Sequence, residues 1–337
     1  MPERKNMKFL KTLAASLAAV ILLSSLLVGC DTKKKEKIVI YSSNEDYIVE
    51  YMEKRFKEEF PDYDIVIEYK STGEHAAALK AAGTKTDCDI TTDLEYGYAA
   101  QIAKLGYLAD LTDISDFSVY TADTVQSKYY IPELRNGGCI AVNLDRLEEL
   151  GLDMPTSYED LLDPQYKGQI SMPNPASSGT GYMFLLSLVN AWGEEKAFEY
   201  FDKLAVNIHS FTSSGAGPVS ALALGEVTIA LGMTSDAVTQ INEGANLKIV
   251  FFEPGSPSSL YAQGIIAGKE DRQAVREVFD FLSTTLKEEL RALYYPEKIY
   301  KDKDFKQEGF PEGYKYADMT VENAGEYKTE LLAKWKH

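Results

Sequence analysis

From Lys37 onward, short β-branched apolar runs alternate with longer stretches in which apolar residues recur every three or four positions. Lys37–Tyr41 (KIVIY) reads as a buried strand. Ser42-Ser43-Asn44 follows, and Glu45–Phe60 then carries Tyr47, Ile48, Tyr51, Met52, Phe56 and Phe60 at helical spacing. Pro61-Asp62 ends that helix, Asp64–Tyr69 (DIVIEY) is a second strand, and Ser71-Thr72-Gly73 opens a helix over His75–Ala82. Asp89–Thr91 reads as a third strand, followed by a helix around Tyr96–Leu105. A second series begins near Gly138. It holds a strand at Cys139–Val142, a helix at Leu144–Leu150, a short helix at Tyr158–Leu162, a strand at Gly168–Met172 and helices at Gly179–Ala191 and Glu194–Leu204. Val219–Leu224, Val227–Leu231, Asp236–Glu243 and Leu247–Phe252 continue it. Ala262–Ala267 reads as a strand, Arg272–Leu293 as a pair of helices, and the Tyr-rich tail is helical only near Val321–Lys334. Strand–helix alternation of this kind predicts an α/β fold with mostly parallel sheets flanked by helices.

The first thirty residues break the pattern. Arg4, Lys5, Lys8 and Lys11 precede an apolar run from Leu13 to Val28 that ends in Leu27-Val28-Gly29-Cys30. A basic opening and a short apolar run read as an export signal over residues 1–29. The run is short for a bilayer span, which needs ~20 residues. Met7 begins a complete basic segment of its own. Residues 30–36 are polar and charged and read as a tether.

The chain has 337 residues and a net charge of -17. Residues 1–29 carry four cations and one acid, so the chain from Cys30 onward carries -20. That length predicts about two domains of ~150 residues each. The acidic balance excludes a nucleic-acid partner, which needs a basic face. Past Cys30 the cysteines are Cys88 and Cys139, with no metal-ligand spacing; we read both as buried free thiols. The histidines are His75, His209 and His337. His337 is expected to be disordered, and His75 to have a structural or surface role. His209, just before a Thr-Ser-Ser-Gly loop, is also read first as structural or surface, and of the three has the better claim to face a cleft. No H-E-x-x-H, P-loop, G-x-S-x-G or G-x-G-x-x-G pattern occurs, so neither a catalytic group nor a cofactor is predicted.

Four hydroxyl- and glycine-rich clusters each lie between a strand and the next helix. They are Ser42-Ser43-Asn44, Ser71-Thr72-Gly73, Ser177-Ser178-Gly179-Thr180-Gly181, and Thr212-Ser213-Ser214-Gly215. In an open α/β sheet such loops sit at the carboxyl ends of strands, where ligands bind. Helix N-termini there present free amides, and Ser and Thr add hydroxyl donors, a combination suited to an oxyanion. The same residues are also ordinary helix caps. Glu74, Asp93 and Glu95 flank these loops and can hold an ammonium group, although Glu74 and Glu95 also suit the first turn of a helix. The pairs Tyr129-Tyr130 and Tyr294-Tyr295 read first as packing or hinge residues.

Several segments carry a family resemblance: Ile38–Asn44 (IVIYSSN), Pro155–Asp163 (PTSYEDLLD), Met172–Tyr182 (MPNPASSGTGY), Trp192–Ala197 (WGEEKA), Glu199–Leu204 (EYFDKL) and Leu224–Glu226 (LGE). In this order they resemble the substrate-binding proteins of bacterial ABC importers, in the branch that includes ferric-ion and 2-aminoethylphosphonate binders. The resemblance implies a two-lobe, type II periplasmic-binding-protein fold with the ligand in the cleft. It implies two crossing segments, near Ile131–Val142 and Pro257–Ile266, with lobe 1 formed by residues 37–135 plus 260–337 and lobe 2 by residues 136–259. Gly29-Cys30 resembles a lipobox, which implies lipidation of Cys30. Iron binders of the branch place a Tyr pair after the strand that follows the Gly-Glu turn. Here that position holds Gly232-Met233-Thr234-Ser235-Asp236, so the phenolates are missing and Thr234 extends the hydroxyl lining.

The expected function is therefore a lipid-anchored, monomeric receptor on the extracytoplasmic face of the cell membrane. It closes on a small anionic or zwitterionic solute (a phosphonate, phosphate ester or carboxylate) and hands it to an ABC permease and its ATPase. A ferric-ion or polyamine receptor of the same fold, or an exported lipoprotein hydrolase, is the alternative.

Overall fold

Ile38 and Ile40 are fully buried at the centre of the first strand, and the helix after it turns Ile48, Met52 and Phe56 onto the same core. Each such side chain contributes ~1.5–3 kcal/mol by leaving water. The structure, a computed structural model, describes residues 35–321 and 324–337; the signal, Cys30 and most of the tether lie outside them. The first lobe opens with β1 (Glu36–Ser42), α1 (Asp46–Glu59), β2 (Tyr63–Tyr69), α2 (Thr72–Ala82), β3 (Ile90–Glu95) and α3 (Tyr96–Lys104). The 13-residue strand β4 (Ile131–Asn143) leads into the second lobe. That lobe holds α4 (Leu144–Leu150), β5 (Ile170–Pro173), α5 (Gly179–Trp192), α6 (Glu194–Leu204), β6 (Ile208–Thr212), α7 (Gly217–Ala223), β7 (Ile229–Met233), α8 (Thr234–Asn242) and β8 (Leu247–Val250). The chain returns through β9 (Ser258–Ile265) to α9 (Gln273–Phe281) and α10 (Lys287–Leu293), and ends in α11 (Ala324–Leu332).

The strands run β2-β1-β3-β9-β4-β7-β5-β6, with β8 also on β4. β1 with β3, and β5 with both β6 and β7, are parallel, as the alternating pattern predicts. The crossing strands differ. β9 is antiparallel to β3 and to the first half of β4, whose second half is antiparallel to β7 and β8. A strand arriving from the other lobe enters each sheet from its far end. The change of partner falls between Gly137, opposite Ser258, and Gly138, opposite Met233.

Two main cores follow. Ile38, Ile90, Val275, Val278, Phe279 and Leu282 close the first lobe, so helices from the end of the chain complete a lobe begun at its start. Ile140, Met172, Phe184, Leu188, Phe201 and Leu231 close the second. The C-terminal helix touches both. α11 packs on α3, while Leu331 and Trp335 join the second-lobe core. His337 is ordered against expectation. Its ring stacks on Phe211, and its Nε2 lies 2.8 Å from Asp202 Oδ1. Cys88 and Cys139 are buried free thiols.

Candidate functional site

The ends of β1, β2 and β3 and the start of α2 face the start of α5 and the turn before α7 across a narrow cleft with about 30 Å³ of free space. From the sequence-predicted set it gathers Ser43, Ser71, Thr72 and Asp93 of the first lobe. Across from them stand Ser178, Gly179, Thr180, Ser213, Ser214 and Gly215 of the second. Tight backbone packing explains part of the glycine pattern. A Cβ on Gly181 would lie 2.4 Å from Pro173 O, so the SSGTG turn folds back on the end of β5 only without one. Ser178 caps α5 by accepting from Gly181 N, leaving the Gly179 and Thr180 amides at a helix start where intrahelical acceptors do not exist.

The other predicted residues take different roles. Ser42 is buried and accepts from the backbone and side-chain nitrogens of Asn44, itself buried. Glu74 forms a capping box with Ser71, so its carboxylate serves the helix start and not the cleft. Glu95 is neutralised: Lys328 of α11, fully buried, reaches its Oε2 at 2.6 Å and lies over the rings of Tyr98 and Tyr182. Gly73 and Ser177 sit at the rim, where the Gly73 amide donates to Ser177 O at 3.1 Å across the lobes. Thr212 donates within its own loop to Ser214 O. Thr234 opens α8, fully buried, with no hydrogen-bond partner for its hydroxyl among the described residues. His209 is exposed on β6 and does not line the cleft.

What the sequence reading missed is mostly acid and tyrosine. Glu45, Tyr69, Asn136, Met233, Tyr261 and Tyr295 also line the cleft. Glu45 Oε1 accepts from the Ala216 amide at 3.2 Å, and Tyr47 Oη donates to Asp236 Oδ1 at 3.2 Å, so two further contacts join the lobes. Glu45 and Asp236 follow their strands as closely as the predicted acids do, so the same position after a strand is the signal that could have found them. Tyr295, expected as packing, is both buried and at the cleft.

The electrostatics are those of crowded carboxylates. Burial, then the charge of Asp236, pushes Glu45 up to about 8. Burial pushes Asp236 up to about 7. Asp93 is held well above the carboxylate range by burial and by Glu133, Glu45 and Asp236. Its backbone has φ 52°, an uncommon conformation for a residue with a side chain. The β3–β9 register breaks between Thr91 and Leu94, a bulge that re-aims the intervening side chains. The Asp93 amide donates to Glu133 Oε2, while among the described residues no partner reaches Asp93 Oδ1. Among the described residues no Lys or Arg lines the cleft. No group of three or more His, Cys, Asp and Glu among the described residues is arranged to hold a metal ion.

Behind Ser43 lies His75, wholly buried. Its Nδ1 is 3.0 Å from Ser43 Oγ and its Nε2 is 2.8 Å from Thr91 Oγ1. Burial, then the charge of Lys70, lowers the ring to about 3, so it is neutral at physiological pH. A larger space of about 480 Å³ lies beside the crossing strands under Tyr316–Val321; of the predicted site residues only Glu95 lines it.

The profile of the bacterial extracellular solute-binding proteins matches residues 89–317. The chain belongs to that family. A Haemophilus influenzae protein of undefined role is 28% identical over 275 residues, covering 78% of this chain and 77% of its own. A Salmonella typhimurium protein provisionally named a 2-aminoethylphosphonate-binding periplasmic protein is 25% identical over 178 residues, about half of each chain (50% and 51%). Among solved structures, the periplasmic binding protein AfuA from Actinobacillus pleuropneumoniae, with fructose-6-phosphate bound, is similar at TM-score 0.76 and 25% identity, covering 90% of this chain and 98% of its own. The chain is thus a solute-binding protein of the ABC-importer type, with the type II two-lobe fold. No helix among the described residues is long and apolar enough to cross a membrane.

Proposed function

We propose that this solute-binding protein captures a small zwitterion carrying a phosphonate or phosphate at one end and an amine at the other. One observation carries the reading. The cleft combines hydroxyls and helix-start amides with buried, partly unpartnered carboxylate, and among the described residues no cationic side chain lines it. The Ser43, Ser178–Thr180 and Ser213–Gly215 groups suit an oxyanion. Asp93 and Glu45 suit an ammonium, whose charge relieves their mutual repulsion. The name of the Salmonella relative agrees with such a ligand. Ligand contacts to both lobes would stabilise the closed form. Lipidation at Cys30 would hold the receptor on the extracytoplasmic face of the membrane, beside its permease.

A sugar phosphate is the second reading, supported by the bound ligand of AfuA and by the capacity of Asp93 and Glu45 to accept from sugar hydroxyls. A ferric-ion ligand is less well supported, since burial raises the cleft phenols Tyr261 and Tyr295 far above their ordinary range. Hydrolysis is disfavoured. The imidazole beside a cleft hydroxyl, His75, is held at about 3, and its second nitrogen meets Thr91 instead of a carboxylate, while Glu74 beside Ser71 is engaged in the capping box. Thermal shifts with 2-aminoethylphosphonate, ethylphosphonate, fructose 6-phosphate, spermidine and ferric citrate separate the cases, because a ligand at 100 times its Kd adds ~2.7 kcal/mol. A shift with fructose 6-phosphate and none with 2-aminoethylphosphonate would replace the first reading by the second.

A further inference from the structure

We infer that His75 is a positioning residue that carries its single ring proton on Nδ1 and thereby fixes Ser43 as a hydrogen-bond donor to the solute. Thr91 Oγ1 is almost fully buried, and among the described residues its side chain has one hydrogen-bond partner, His75 Nε2. A hydroxyl has one hydrogen to donate, and a buried one left without an acceptor costs free energy. If Nε2 carried the proton, Thr91 would have to accept, and its own hydrogen would point at nothing. With Nε2 bare, Thr91 donates to it and the cost disappears. A neutral imidazole has one N–H, so the proton then sits on Nδ1, facing Ser43.

Ser43 differs from Thr91 in being half-buried on the cleft wall. Its oxygen accepts from His75 Nδ1, and its hydrogen is free to point into the cleft. The pair therefore runs opposite to a nucleophile and its base, where the bare ring nitrogen faces the serine. It converts one hydroxyl of the lining from a group of either sense into a donor, which favours an oxyanion over an amine at that position. This sense of recognition rests on the zwitterion reading above; the proton position does not, because it follows from Thr91 alone. The tautomer is assigned from the hydrogen-bond network.

The test begins with the unliganded full-length chain, 15N-labelled at histidine, at neutral pH. The chain has three histidines, so His209→Gln and His337→Gln assign the His75 signals. A protonated-type shift for Nδ1 and a bare-type shift for Nε2 are expected; the reverse overturns the proposal. Calorimetry with 2-aminoethylphosphonate then tests the coupling. Ser43→Ala should weaken binding about tenfold in the wild type, and less than twofold in a His75→Leu background. His75→Asn, whose amide can occupy the Nδ1 position, should restore most of the affinity. Additive losses would show that His75 does not act through Ser43 and would overturn its positioning role. Absence of binding by the wild type would defeat the ligand reading and leave the nitrogen shifts to decide the proton position.

Discussion

The Glu45 carboxylate of the first lobe accepts a hydrogen bond from the Ala216 amide of the second at 3.2 Å, so a half-buried acid spans the closed cleft. Glu45 is raised to about 8 by burial and by Asp236, and Asp236 to about 7 by burial. Acids whose pKa is raised on folding hold protons more tightly in the folded form. Their contribution is fully present below the ordinary carboxylate range and is lost as pH rises through the folded values. The Tm of the unliganded wild type should therefore fall, relative to a Glu45→Gln/Asp236→Asn double variant, between about pH 5 and about pH 8.5. A difference that stays flat over that window in parallel melts would contradict the buried-acid assignment.

Asp93 offers a cleaner test of the amine. Asn tolerates the left-handed conformation that Asp93 adopts, so Asp93→Asn removes the charge with little change of shape. Affinity for 2-aminoethylphosphonate should drop about ten- to hundredfold, the worth of ~1.5–3 kcal/mol for a hydrogen bond to a charged group. Affinity for ethylphosphonate, which lacks the amine, should hold or rise. Equal losses for both, measured by calorimetry, would remove Asp93 from amine recognition.

Lys328 and Glu95 form a buried pair between the C-terminal helix and the cleft wall. Lys328→Met leaves a buried carboxylate alone and should cost about 3–5 kcal/mol in urea unfolding. Adding Glu95→Gln should recover most of that loss, since no charge is then stranded. If the double variant is as unstable as the single one, the lysine matters through its contacts with Tyr98 and Tyr182.

Closure brings backbone against backbone at Gly73. A Cβ there would lie 3.0 Å from Ala176 O and 3.1 Å from the Ser177 Cα, both on the other lobe. Gly73→Ala should weaken solute binding at least several-fold while leaving each lobe folded. Small-angle scattering with saturating solute would show a larger radius of gyration than the wild type if this contact limits closure, and the same radius if it does not.

Much of the α/β order was legible, because burial on a sheet or one helix face imposes its period locally. Leu144–Leu150 and Glu194–Leu204 are helices over the residues expected. β4 was half hidden. Pro132, Glu133, Arg135 and the Gly137-Gly138 pair break any apolar run, and only pairing with β9 makes Ile131–Gly137 a strand. The local pattern also ends β3 early, since Asp93 and Glu95 look like a loop until the bulge and the neighbouring strand are in place.

The chain by itself determined most helices, the apolar centres of the strands and the four hydroxyl-rich turns, since propensity, capping and periodicity act between residues close in sequence. Tertiary structure alone decided which polar groups remain available. Lys328 withdraws Glu95 from the cleft over 233 positions, Ala216 brings Glu45 into it over 171, and His75 backs Ser43 over 32. Partners so distant along the chain leave no local pattern, because charge pairing and buried hydrogen bonding depend on distance in space.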